Sequence, residues 1–147
     1  MIEIVVYAVF VLLGTAGLLY GLVEFRRARE SEHWLVEDAT VLDASVIKHR
    51  GARSHSPLIR YEYKHNDASY EGSRIMFSGL DFTSSRQEVK EFVLPFVKGS
   101  KIRVRVSPRD PRRSVIEPGV DHRLKLMLFV TSYVMLMGLG GLLGWWQ

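Results

Sequence analysis

Five histidines, a run of alternating tyrosines and a few acidic and hydroxyl side chains are the residues of this chain with chemistry to offer. His49, His55 and His65 fall on or near one hairpin region, where convergence would make a metal site. None has a partner at the spacing of a metal motif and each lies among polar residues, so solvated histidine is the expectation and no metal or cofactor is predicted. Tyr61, Tyr63 and Tyr70 offer rings on which bases stack. Their alternation with Arg60, Glu62 and Lys64 turns them toward a core instead. A formal charge of +4 dispersed over 20 basic and 16 acidic residues lacks the concentrated stripe that nucleic acid requires, and no nucleic-acid partner is expected.

Asp81, Ser107 and Asp110 are the groups that an enzyme on lipid or envelope precursors would use. They do not assemble into a nucleophile, a base and an orienting group. The chain has no Gly-x-Ser-x-Gly elbow, no phosphate loop ending in Gly-Lys-Ser/Thr and no His-Glu-x-x-His helix. Cysteine is absent, which removes disulfides and thiolate chemistry. A protein without catalysis is predicted.

What positions these residues is set by two uncharged apolar stretches, residues 4–23 and 126–144. Each is long enough, at roughly 1.5 Å per helical residue, to match the roughly 30 Å hydrocarbon core of a bilayer. A mean hydropathy of +0.03 averages these ends with a polar centre that holds every Lys and Arg. The first stretch reads as a retained span, not a cleaved leader: Glu3 is the one charge before it, and it ends Leu22-Val23-Glu24-Phe25-Arg26. Trp145 and Trp146 after the second suit the headgroup level.

Arg26, Arg27 and Arg29 follow the first span, and Arg109, Arg112, Arg113, Arg123 and Lys125 precede the second. The positive-inside rule then predicts a multi-pass protein of a bacterial inner membrane, with the centre cytoplasmic and both termini outside. Export of a domain of this size regardless of charge is the competing topology. Arg26, Arg27, Arg29, Arg112 and Arg113 are placed to meet anionic headgroups, at about 1 kcal/mol per charge. Gly17 and Gly21, and likewise Gly140 and Gly144, stand four apart on one helical face, where small residues let helices pack closely within one chain or in a homo-oligomer. Neither span carries an ionisable residue, which argues against a transporter or channel.

The chain therefore reads as an α+β membrane protein: a transmembrane helix over 1–23, a juxtamembrane segment over 24–33, a β-rich soluble domain over 34–120 and a second transmembrane helix over 121–147. The first helix should extend to about Ser31. A strand over 39–48, a loop over 51–57 and an alternating strand about Ile59, Tyr61 and Tyr63 come next. Asn66-Asp67 supplies a tight turn, with a return over 69–77. Ser85 and Glu88 form a capping box for a short helix to about Leu94, with Val89, Phe92 and Val93 apolar. Lys98-Gly99 then turns into a strand with Ile102, Val104 and Val106 inward, and 114–117 adds a last short one. The expected result is a small, mostly antiparallel sandwich or partial barrel carrying one short helix.

Tyr61-Glu62-Tyr63, Tyr70-Glu71-Gly72, the run from Val97 to Val104, Pro108-Arg109-Asp110-Pro111, residues 114–117 and the upstream Trp34 together resemble the domain of unknown function 3592 family. At Val106-Ser107-Pro108 the chain departs from that family, where tyrosine then aspartate is usual. The resemblance implies a compact β-rich domain beside one or two membrane helices and no established activity. Three functions compete: a non-catalytic membrane-anchored interaction module with a protein partner, a two-span immunity or accessory factor for a membrane-acting partner, and, weakest, an uncatalogued enzyme on lipid or envelope precursors.

Overall fold

The computed structural model describes residues 2–48, 54–77 and 85–144. His49, part of the loop read over 51–57, Asp81, Trp145 and Trp146 lie outside the described residues. Two compact units emerge: Met1–Arg27 with Val120–Gln147, and Ala28–Phe77 with Asp81–Gly119.

The first unit is helical. Helix α1 runs Ile2–Ser31 and a last helix, α3, runs His122–Leu142. Both are long and apolar enough to cross a membrane. Their large side chains face outward, with Leu12 and Phe129 each 70% exposed. Two hydroxyls within them bond to their own helix: Thr15 Oγ1 donates to the Val11 carbonyl at 2.7 Å, and Ser132 Oγ to that of Leu128 at 2.7 Å. Such back-bonding gives these hydroxyls a partner within their own helix.

The second unit holds strands β1 (Leu35–Lys48), β2 (His55–His65) and β3 (Ala68–Gly72), helix α2 (Arg86–Val93), and strands β4 (Lys101–Val106) and β5 (Ser114–Val115). They form one antiparallel sheet in the order β3-β2-β1-β4-β5. A sandwich, which needs two facing sheets, is not what forms among the described residues. Instead the single sheet curls until its ends meet: Ile116 donates its amide to the Arg74 carbonyl at 3.2 Å and Glu117 to that of Ile75 at 2.7 Å. This seam gives the unit its partial-barrel character and removes part of two open edges.

Local chemistry explains the elements. On β2, Ile59, Tyr61 and Tyr63 are buried while Arg60, Glu62 and Lys64 are exposed, the period of two expected of a half-wet strand. Asn66 and Asp67 adopt φ of +49° and +63°, the doubly left-handed turn that joins hairpin strands without splaying them. Ser85 caps α2 by accepting the Glu88 amide at 3.3 Å, and α2 buries Val89. Strand β1 starts at Leu35, four residues before the sequence expectation, because Leu35 to Thr40 pair with β4. That ladder holds Glu37 and Asp38, poor strand formers, in extended backbone. A bulge between Val41 and Asp43 shifts the inward set of β1 from Ala39 and Val41 to Ala44, opposite Ile59. The resulting core comprises Ala39, Val41, Ile59, Tyr61, Tyr63, Val104 and Val106, with Phe92 and Phe96 packed against it.

Candidate functional site

A surface groove of about 410 Å³ opens on the β unit. Trp34, Leu58 and Phe77 line it with apolar side chains, and Arg60, Arg74, Arg112 and Arg113 with guanidinium groups, beside the carboxylate of Glu71, the one acidic lining residue among those described. Arg60 and Glu71 engage each other at 2.8 Å across β2 and β3, and that hydrogen bond raises the Arg60 pKa further. Two of the other cations lie near rings. Arg74 lies 4.9 Å from the Phe77 centroid and Arg113 5.8 Å from that of Trp34. The two rings meet edge to face at 5.9 Å, and both are buried. A cation within about 6 Å of a ring centroid is attracted by the ring's quadrupole.

The loop that carries Arg112 and Arg113 is pinned from several sides. Asp110 accepts the Arg112 amide at 3.2 Å through Oδ1 and the Arg113 amide at 3.0 Å through its carbonyl. Ser107 donates its amide to the Arg113 carbonyl at 2.9 Å, and its Oγ accepts the Asp110 amide at 3.4 Å. Tyr63 reaches from β2 to donate to the Pro111 carbonyl at 2.6 Å. Ser107 and Asp110, the candidate polar groups for an enzyme, are thus occupied in shaping their own turn. Asp81 lies outside the described residues.

Beneath the groove, Tyr61 is fully buried, and its hydroxyl donates to the Arg74 carbonyl at 3.1 Å and sits 3.0 Å from Ser114 Oγ. Burial pushes its pKa up to about 12, against a smaller opposing effect of the Ser114 hydrogen bond. The Tyr63 phenol is raised for the same first reason. Below about pH 10 both folded and unfolded chains keep these phenols protonated and stability is whole. Above it the unfolded chain loses a proton that the folded chain retains, so stability falls as pH rises. For Tyr61 the loss should approach about 3 kcal/mol by about pH 12. Denaturant midpoints of the full chain in detergent should therefore drop steeply at alkaline pH. Tyr61→Phe should start about 1 kcal/mol lower yet decline less.

His55 and His65 stay apart. They end opposite tips of β2, about 33 Å apart at strand rise, so they cannot share an ion. His65 is not merely solvated: its Nδ1 lies 2.9 Å from Glu37 Oε1. His122 Nδ1 lies 2.8 Å from Asp121 Oδ1. No cluster of three potential metal ligands occurs among the described residues. Tyr61 and Tyr63 are core residues, and Tyr70 stacks on Tyr63 at 5.8 Å. On α1, Arg27 pairs with Glu24 at 2.8 Å, whereas Arg26 and Arg29 are exposed.

In the helical unit, glycines mark where α1 and α3 touch. A Cβ on Gly17 would lie 2.6 Å from Thr131 Cγ2, and one on Gly21 2.6 Å from Leu128 Cδ2. Sequence reasoning passed over the approaches that meet backbone. A Cβ on Gly14 would come within 2.8 Å of the Met135 Cα, and one on Gly138 within 2.9 Å of the Tyr7 carbonyl and the Val11 nitrogen. Gly140 is buried, but Gly144 takes no part in the contact between α1 and α3. It lies beyond α3 at φ +71° with open space about it, the left-handed conformation that terminates a helix. Its spacing from Gly140 reflects helix termination, and the second close-packing pair is Gly138 and Gly141, the latter against the Tyr7 ring. Gly14 at three residues before Gly17 was a readable signal, since i and i+3 also share a helix face.

No relative among curated proteins matches the chain. A family model described as "Domain of unknown function (DUF3592)" matches residues 37–121, which cover all five strands except the first two residues of β1, α2, and the loop bearing Arg112 and Arg113. With more than half of its length matched, the chain belongs to the DUF3592 family.

Proposed function

We propose that this is a two-span membrane protein whose β-rich domain faces the cytoplasm and serves, without catalysis, as an anchored interaction or accessory module. The observation that carries this reading is the outward apolar surface of α1 and α3. Leu13, Leu19, Leu126 and Leu136 are each at least 60% exposed, while glycines line the contact between the helices. Exposing that much apolar surface to water costs roughly 25 cal/mol per Å², whereas lipid imposes no such cost. A core helix of a water-soluble protein would be mostly buried, and these are not. Orientation rests on the cations: Arg26, Arg27 and Arg29 at the end of α1, and Arg123 and Lys125 at the start of α3. The engagement of Ser107 and Asp110 in their own turn supports a role without catalysis.

Membrane fractionation and reporter fusions test this together. The full chain should resist alkaline extraction and require detergent. A reporter active only outside the cytoplasm should work when fused after Gln147 and fail when inserted at the Asn66-Asp67 turn. Release into aqueous buffer would refute the anchoring, and the reverse reporter pattern would refute the orientation. In-membrane crosslinking from Arg103 and Lys64 should capture a discrete protein partner; capture of lipid alone would overturn the interaction-module reading.

A further inference from the structure

We infer that the far end of the β1–β2 ribbon is a binding site for a tetrahedral oxyanion, a phosphate group held by Lys48, His55 and Arg86. All three residues belong to the β unit, so the inference does not depend on how the helices are oriented.

Register brings the three together. Lys48 and His55 are the last partners of the β1–β2 ladder, following Val46 opposite Pro57 and Ala44 opposite Ile59. Side chains two residues apart share a face, and Ala44 and Ile59 belong to the core, so Lys48 and His55 leave the sheet on the core side. Helix α2 packs against both strands, with Val89 buried and Phe92 against the core, and Arg86 is its first residue. The result is a cavity of about 490 Å³ lined by Val46, Lys48, His55 and Arg86.

Chemistry then selects the occupant. His55 Nδ1 is shut off from solvent and has no hydrogen-bond partner among the described residues. Leaving a buried polar atom unpaired is costly, and a ligand in this cavity would supply the missing partner. Nδ1 donates in the tautomer that carries its proton there. Lys48 and Arg86 are exposed beside it, and among the described residues neither makes an ion pair. None of the four described lining residues is acidic, so the cavity attracts anions. Donors come from β1, β2 and α2, three separate elements. A planar carboxylate offers them two oxygens, whereas a phosphate group offers three about a tetrahedron and brings up to two charges to the two permanent cations.

Free phosphate and a phosphomonoester present the same group, and one experiment separates them. The full chain, isotope-labelled at the ring nitrogens of its five histidines and held in detergent, is studied by NMR, and the signal lost in His55→Gln identifies His55. Sodium phosphate and glycerol 2-phosphate are each titrated against sodium chloride of matched ionic strength at constant pH. The His55 ring signals should move saturably with phosphate, while those of His65, already 2.9 Å from Glu37, stay in place. Tighter binding of the ester supports a phosphorylated small molecule, and binding no tighter than that of free phosphate supports the inorganic ion. Lys48→Gln and Arg86→Gln should each weaken binding about tenfold, and both positions are exposed, so neither change disturbs the core. Absence of saturation with both phosphate probes, an equal response to chloride, or indifference to both substitutions would overturn the inference.

Discussion

Replacing Gly14 with leucine is expected to separate α1 from α3 and to destabilise the helical unit by about 3 kcal/mol or more, at the upper end of what overpacking produces. The reason is what lies opposite. A Cβ at this position would stand 2.7 Å from the Met135 amide nitrogen and 2.8 Å from its Cα. Backbone cannot rotate aside as a side chain does, so relief requires moving a whole helix. Movement would also lift Gly17 off Thr131 and Gly21 off Leu128, because all three glycines lie along one stripe of α1. In lipid nothing replaces those contacts, since association there relies on close packing without a hydrophobic drive. The chain has no cysteine, which makes the measurement clean. A Tyr7→Cys/Gly141→Cys pair should crosslink readily in membranes and lose that crosslink when Gly14→Leu is added. Gly144→Leu is the contrast, because open space surrounds that position and its penalty is one of backbone conformation alone. Undiminished crosslinking in Gly14→Leu would show that the glycine stripe does not set the helix spacing.

Local rules were legible where neighbours in sequence are neighbours in space. Ser85 capping Glu88, the left-handed pair Asn66-Asp67 and the in-out alternation of β2 all belong to this kind. So do the apolar lengths of α1 and α3, because bilayer thickness is a one-dimensional constraint. Illegible features were those that require a partner strand. Leu35 to Asp38 become strand only because β4 lies alongside, and the bulge after Val41 interrupts the alternation that would have located the inward face. Whether one sheet closes or two sheets stack depends on Ile116 and Glu117 finding Arg74 and Ile75, some forty residues distant in sequence. The groove was hidden for the same reason. Arg112 and Arg113 stood out as a basic pair near a span, but Trp34, Arg60 and Arg74 join them only through the topology. Their reading as cations near headgroups used charge alone; the structure adds the nearness of Arg113 to the Trp34 ring and the turn held by Asp110 and Ser107.

Gly72→Val should destabilise the β unit by about 3 kcal/mol, although strand propensity alone favours valine over glycine by up to about 1 kcal/mol. Two effects of opposite sign meet here, and packing decides. Gly72 on β3 lies directly across from Tyr61 on β2, and the tyrosine ring folds over it. A Cβ at residue 72 would be 2.5 Å from Tyr61 Cε2 and 2.6 Å from Cζ, and would strike Ser114 Oγ as well. The ring cannot swing away, because its hydroxyl is held by the Arg74 carbonyl and Ser114 in a site with no exposure. Relief must come from β5, whose next residues close the barrel seam. Hydrogen exchange at the Ile116 and Glu117 amides should therefore accelerate in Gly72→Val more than at Val104, whose strand is paired along the central strand β1. Groove shape would change with it, since Gly72 and Ser114 both line that surface. A double-mutant cycle isolates the cause. In a Tyr61→Leu background the obstructing ring atoms are gone, and Gly72→Val should then cost under about 1 kcal/mol, a coupling of about 2 kcal/mol. If Gly72→Val costs the same in both backgrounds, the ring is not the obstacle, and the account of why this position is glycine fails.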